Sequence, residues 1–300
     1  MSFLIIKKLT GIPLRLAVAN DCHFLHCDDV TKAVRKFVKS LKELEADMLL
    51  MTGDISDGKD WPKRLHHIKQ DSGLNIAFVL GNHDFYGWNW FDAQRTAREL
   101  VSNNHQITWL DDFDYLFLEL DEETALVGSS SPACLTTGQS PLVNHTWKNI
   151  SDFHTIKDLK KLQHYPDKMI AAQTQLAAFS AGRLSVQLDH VLQDGYKKVI
   201  VALHVAPYEW SARWRGRPTE YNMKPYYISR FLGNVIDNAA KKYPEVQFVC
   251  MHGHTHGGFR DKHPELDNVI VMAGEAEYKH PKVQFVLDTN KSFCGAKLLK

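Results

Sequence analysis

Short apolar runs, each cut off by polar residues, recur along the chain at Leu14 to Asn20, Asp47 to Thr52, Asn75 to Leu80, Val199 to Leu203 and Val246 to Met251. Runs of this length bounded by turn residues predict strands buried on both faces. Between the first two, Val30, Val34, Phe37, Val38, Leu41 and Leu44 recur at three- and four-residue intervals, with Asp28 or Asp29 placed to cap the start. This predicts an amphipathic helix whose Lys32, Arg35, Lys36, Lys39 and Lys42 form a solvated face. A short helical link over Pro62 to Gln70 joins the second run to the third, and such alternation builds a parallel sheet from βαβ units. Beyond it the pattern predicts a helix over Phe91 to Ser102 and short strands at Ile107 to Leu110, Tyr115 to Leu120 and Thr124 to Gly128. Short strands in series imply an antiparallel portion, and so a mixed sheet system. A second helix is predicted over Thr174 to Gln193, with Leu176, Phe179, Leu184, Leu188, Val191 and Leu192 buried and Gly195 as its stop. Asn268 to Met272 and Val283 to Leu287 read as closing strands with little chemistry.

The ends of the apolar runs carry the chemistry. Leu49 to Asp57 reads Leu-Leu-Met-Thr-Gly-Asp-Ile-Ser-Asp and delivers Asp54 and Asp57 at a strand tip. Gly-Asp after a strand is by itself only turn chemistry. The other tips change that reading, because they carry Asp21-Cys22-His23, Gly81-Asn82-His83-Asp84, His204 and His252-Gly253-His254-Thr255-His256. Open α/β sheets hold ligands beyond the carboxyl ends of their strands. Carboxylate, imidazole and amide oxygen together suit borderline divalent transition metals.

In this order the motifs resemble the calcineurin-like metallophosphoesterase family, over Leu16 to His256. The resemblance implies an α/β fold of two facing mixed sheets flanked by helices, and two divalent transition-metal ions, Mn, Fe or Zn. It implies one ion at Asp21, His23, Asp54 and His256 and another at Asp54, Asn82, His204 and His254, with Asp54 bridging. Two such ions can hold a hydroxide at neutral pH and clamp phosphoryl oxygens for in-line displacement. The resemblance further gives His83 the role of stabilising the transition state or protonating the leaving oxygen. Asp57 matches the acid that pairs with this histidine and fixes its tautomer. Asp84 matches a structural position. Cys22 is expected to alternate away from its neighbours on a strand and pack inward.

Composition narrows the class. Three hundred residues, 44% hydrophobic, fit one large domain over 1–300. Lys plus Arg number 36 against 35 Asp plus Glu, which argues against a protein that wraps nucleic acid through a basic face. The odd cysteine set, Cys22, Cys27, Cys134, Cys250 and Cys294, contains no Cys-x-x-Cys pair and reads as reduced thiols. The N-terminal apolar run is too short for a signal peptide and precedes its lysines, and no segment approaches the roughly 20 apolar residues that span a bilayer. A soluble, cytoplasmic protein without membrane partners is the expectation.

Two segments break the strand–helix rhythm, at about 129–170 and 205–228, and both are expected to form the substrate rim. His145, His154 and His164 in the first read as solvated loop histidines. The second interleaves aromatics with arginines over Ala206 to Pro218, so Arg213, Arg215, Arg217 and Trp214 are candidates for binding anions or stacking on bases. His26 and His252 are further candidates for substrate contact. The leading function is hydrolysis of a phosphate monoester or diester, with a nucleotide or nucleic-acid phosphodiesterase as the alternative. Protein serine/threonine phosphatases of this superfamily extend Gly-Asp-x-x-Asp with Arg-Gly, whereas Gly58-Lys59 follows Asp57 here. A non-enzymatic module on the same fold would tend to lose ligand histidines, and every ligand position is filled. The sequence leaves oligomeric state and metal identity open.

Overall fold

The computed structural model describes residues 5–8, 13–293 and 299. In chain order its strands are β1 (Ile5–Lys8), β2 (Arg15–Ala19), β3 (Met48–Thr52), β4 (Asn75–Val79), β5 (Ile107–Trp109), β6 (Tyr115–Glu119), β7 (Thr124–Ser129), β8 (Lys198–Leu203), β9 (Arg213–Trp214), β10 (Arg217–Pro218), β11 (Gln247–His252), β12 (Phe259–Lys262), β13 (Val269–Ala273) and β14 (Phe285–Asp288). They make a five-stranded sheet, β14-β2-β3-β4-β5, a seven-stranded sheet, β1-β6-β7-β8-β11-β13-β12, and the small β9–β10 ribbon. In the first sheet β2 to β5 run parallel and β14 lies antiparallel on β2. The second is mixed, with antiparallel pairs at β6–β7 and β12–β13.

Successive side chains on a strand face opposite ways, and here each face meets a different partner. Leu16, Val18, Met48, Leu50, Ala77 and Val79 turn toward the other sheet and pack with Ile200, Ala202, Val249, Met251 and Met272. Ala17, Leu49, Met51, Ile76 and Phe78 turn outward onto three helices, α1 (Val30–Glu43), α2 (Trp61–Ser72) and α3 (Trp90–Ser102). The outer face of the second sheet, with Val199, Val201, Phe248, Cys250 and Val271, is covered by two more helices. The order of layers is therefore helix, sheet, sheet, helix, as expected from the resemblance. Asp29, not Asp28, caps α1 through its carboxylate on the Lys32 amide at 2.9 Å.

Segment 129–170 is not all rim, because a series of its side chains anchors it in the core. Its short helices, α4 (Asp152–Thr155) and α5 (Lys157–Lys161), lead into α6 (Pro166–Gln193), which starts two turns before the predicted Thr174. Phe153, Ile156, Leu159 and Met169 are buried against the first sheet's helical layer. Phe179, expected inside, is 54% exposed. Two further helices, α7 (Lys224–Tyr227) and α8 (Arg230–Lys242), precede β11. Cys22, Cys27, Cys134 and Cys250 are buried and free, while Cys294 and the first residues of the N-terminal apolar run lie outside the described residues. No helix among the described residues is long and apolar enough to cross a membrane.

Candidate metal centre

The parallel strands of both sheets end on one edge of the sandwich, and their tips are stitched together. The Asp21 amide donates to the Gly53 carbonyl at 3.1 Å, His23 to Asp54 at 3.0 Å, and Gly253 to His204 at 3.0 Å. Beyond β2 the chain leaves strand geometry, so Asp21 and His23 do not share a side by alternation. Both are left-handed, with φ of 48° and 42°, as are Asp54 (50°), His254 (65°) and His256 (53°). Cys22 is packed, as expected, but by this turn. The glycines beside these residues leave room for close approach. A Cβ on Gly81 would overlap Asp54 Oδ1, and one on Gly53 would lie 2.5 Å from His204 Nδ1.

Two groups of donor atoms converge. His23 Nε2 lies 3.2 Å from His256 Nε2 and 3.6 Å from Asp54 Oδ2, while His256 Nε2 lies 3.8 Å from Asp21 Oδ1. On the other side His204 Nε2 lies 2.9 Å from Asn82 Oδ1 and 3.4 Å from Asp54 Oδ1. Donors about 2.1 Å from one ion sit roughly 3.0–3.4 Å from each other, so these spacings suit a shared cation in each group. Asp21, His23, Asp54 and His256 form one such cluster, and Asp54, His204 and His254 another. Asp54 turns one oxygen toward each.

Outer contacts fix which atom each side chain offers. His204 Nδ1 donates to the Thr52 carbonyl at 3.0 Å, which leaves Nε2 to face the cluster. His254 Nε2 donates to the Tyr226 carbonyl at 2.9 Å, leaving Nδ1. Burial, then the neighbouring His204, pushes the His254 pKa down to about 4, which favours the neutral ring a metal needs. The Asn82 amide nitrogen donates to Asp152 Oδ1 at 2.8 Å, and the Tyr86 hydroxyl donates to the same oxygen at 2.8 Å. Asp84 is buried and accepts the amides of Gly81 and Ser56 at 2.8 and 3.1 Å, so it ties β3's tip to β4's.

The model of the calcineurin-like phosphoesterase family matches residues 14–258 of this sequence. The chain belongs to that family. As a calcineurin-like phosphoesterase it hydrolyses phosphate esters with the help of metal, and the two His/Asp clusters that share Asp54 suit a dinuclear divalent centre; a third group, His23, His26, Asp57 and His83, adjoins them. Among solved structures it resembles a phosphopantetheinyl hydrolase from Mycobacterium tuberculosis, with TM-score 0.62 and 12% identity over 90% of this chain and 92% of that one. It also resembles a dimetal phosphatase from Danio rerio, with TM-score 0.56 and 12% identity over 92% and 93%. A third, the protein TT1561 of Thermus thermophilus, gives TM-score 0.53 and 13% identity over 93% and 96%. At these identities the likeness is one of fold. Comparison with curated protein sequences finds no match.

Around this phosphoesterase centre, Asp57 is shared by two histidines. His83 Nδ1 donates to Asp57 Oδ1 at 3.0 Å and His26 Nε2 to Asp57 Oδ2 at 3.0 Å. Burial opposes charge on His83, but Asp54 and then Asp57 outweigh it and push its pKa up to about 9. Burial likewise opposes charge on Asp57, yet His23, whose Nδ1 lies 3.9 Å from Oδ1, then His83 and last His26 hold its carboxyl well below the usual range. The cleft over the centre has a volume of about 230 Å³ and is lined by Asp54, His83, Asp152, Trp214, Tyr227 and Tyr278 among others.

The two C-terminal runs are closing strands as expected, and Tyr278, in the connection between them, adds an aromatic wall to the cleft. Its ring centroid lies 4.5 Å from that of His23 and 5.1 Å from that of His256. Asp152 and Tyr278 lie in stretches without periodicity or motif, and no sequence signal marks them. Of the candidate rim residues, Trp214 lies 5.8 Å from His256 between ring centroids, and Arg215 and Arg217 line an adjoining groove of about 790 Å³. Trp214, Met223 and Tyr227 belong to both cleft and groove walls. Arg213 does not join them, because its guanidinium lies over the Phe259 ring at 5.2 Å. His252 is buried with Nδ1 against the Gly253 carbonyl and does not reach the rim. Segment 129–170 contributes only a short stretch, Asn149 to Asp152, to the cleft wall.

Proposed function

We propose that the protein is a dinuclear phosphoesterase in which Asp21, His23, Asp54 and His256 hold one divalent ion and Asp54, Asn82, His204 and His254 hold the other. The observation that carries this reading is the placement of the Asp54 oxygens, Oδ2 facing His23 and Oδ1 facing His204. Two ions so held supply Lewis-acid charge for the phosphoryl oxygens and lower the pKa of water. His83 stands beside Asn82 with Nδ1 committed to Asp57, so its Nε2 meets the substrate and delivers a proton to the leaving oxygen or a hydrogen bond to the phosphoryl group.

The rim favours an ester with a flat ring and further negative charge. Tyr278, Tyr227 and Trp214 frame the cleft, and beyond Trp214 stand the guanidiniums of Arg215 and Arg217. Aromatic faces stack on bases and arginine forks match phosphate oxygens, which supports a nucleotide-like substrate over a simple alkyl phosphate. Turnover by Mn-loaded protein on nucleoside phosphates, phosphodiesters and alkyl phosphates tests this. We expect the highest kcat/KM on a nucleotide-type ester; hydrolysis of none of these esters would remove the reading, and preference for alkyl phosphates would remove its nucleotide part.

A further inference from the structure

The longest helix, α6, presents an outer face unlike that of a solvated helix. On α1 the exposed positions are Lys32, Arg35, Lys36, Lys39 and Lys42 among others. On α6 the exposed positions between Lys168 and Asp189 are Ala171, Gln175, Ala178, Phe179, Gly182 and Val186, with no charge among them. Phe179 and Val186 are 54% and 50% exposed. Arg183, the one charged residue in that span, turns aside over the Phe113 ring at 3.9 Å and donates to the Asp112 carbonyl. Phe113 is itself 44% exposed and lies 5.8 Å from Phe179 between ring centroids, which widens the apolar patch.

These positions form a straight stripe. At about 100° per residue, everything from Lys168 to Asp189 on this face falls within roughly 50° of one line along the helix. Gly182 sits in the helix interior, where glycine weakens a helix, and a Cβ there would meet nothing within the chain. Its small size has no reason inside this molecule.

We propose that this face joins two copies of the chain, with α6 packed antiparallel on its counterpart about a two-fold axis between Ala178 and Phe179. A two-fold interface must be complementary to itself, and this stripe is. In that register Phe179 meets Ala178 of the second copy, Val186 meets Ala171, and Gln175 meets Gly182, each larger side chain against a smaller one. Lys168 meets Asp189 at both ends. Among the described residues Asp189 has no ion-pair partner within its own chain, and both ends are exposed. Charge complementarity and size complementarity thus pick the same register, and the occupant they fit is a second copy.

The test is sedimentation equilibrium of the full chain, with Tm as the control for folding. The wild type is expected to be a dimer with a concentration-dependent Tm, and Gly182→Arg a monomer that still unfolds in one cooperative transition, its Tm independent of concentration. Lys168→Asp or Asp189→Lys alone should weaken the dimer by roughly tenfold, and the two together should restore it. A monomeric wild type, a Gly182→Arg dimer as tight as wild type, or a double exchange no tighter than either single change would each overturn the proposal. Hydrolytic activity is expected to be the same in all of these variants, since none of the positions lies in the cleft.

Discussion

Asp152 Oδ1 lies 2.8 Å from Asn82 Nδ2 and fixes which end of that amide faces His204. Without it the amide is free to turn, and the nitrogen competes with the oxygen for the inner position. Asp152→Ala is expected to weaken binding of one ion by about 10–100-fold while leaving the other in place. Metal content after dialysis against graded chelator measures this. Simultaneous loss of both ions would mean that Asp152 supports the centre in some other way.

His83 is where binding and chemistry should separate. His83→Asn leaves the donor atoms of both clusters in place, so metal content is expected to hold while kcat falls by roughly 10²–10⁴-fold. An ester with an acidic leaving group, such as a nitrophenol, needs little protonation and should lose less than an alkyl ester. Equal losses on both would assign His83 to charge stabilisation at the phosphoryl oxygens.

The rim arginines divide into two kinds. Arg215→Ala with Arg217→Ala should raise KM for charged esters more than it lowers kcat, because groups outside the reacting centre bind ground and transition states alike. Arg213→Ala should leave KM unchanged and lower Tm instead, through loss of its packing on Phe259. A KM change in Arg213→Ala as large as that in the pair would show that the loop re-forms around substrate.

Asp111, far from the donor clusters, gives a stability prediction. Burial pushes its carboxyl up to about 6, against the pull of Arg183 and a hydrogen bond from the Ser130 amide. A folded-state pKa above the unfolded value of about 3.9 means that its contribution is complete below that value and is lost as pH rises through about 6. Over that window wild type should lose on the order of 3 kcal/mol relative to Asp111→Asn. Urea midpoints of the two proteins at pH 3.5 and 7 check it, and parallel pH profiles would contradict it.

The strand tips were legible because a buried strand announces itself by apolar continuity, and residues that interrupt it so abruptly stand out. Asp21, His23, Asp54, Asn82, His204, His254 and His256 could all be placed at tips in this way. Asp152 and Tyr278 could not, since each reaches the cleft from a stretch with no period, and only tertiary packing brings it there. Arg213 and Arg217 look equivalent in sequence, yet the tight β9–β10 turn, with left-handed Arg215 and Gly216, sends their side chains to different places. His252 lies on β11 itself and so is interior, whereas His254 and His256 lie past its end. Phe179 misled for a related reason. Helical period marks a face as apolar without saying what that face meets.

The left-handed backbone at Asp21, His23, Asp54, His254 and His256 sets these side chains against their own main chain. An L-residue in that conformation costs about 1–2 kcal/mol relative to the right-handed one, and glycine would relax it. Selection for stability alone would therefore erase this edge of the sandwich one donor at a time, each step making the bare polypeptide more robust and less able to hold a cation. Five such residues on one edge make it the part of the fold least explained by folding.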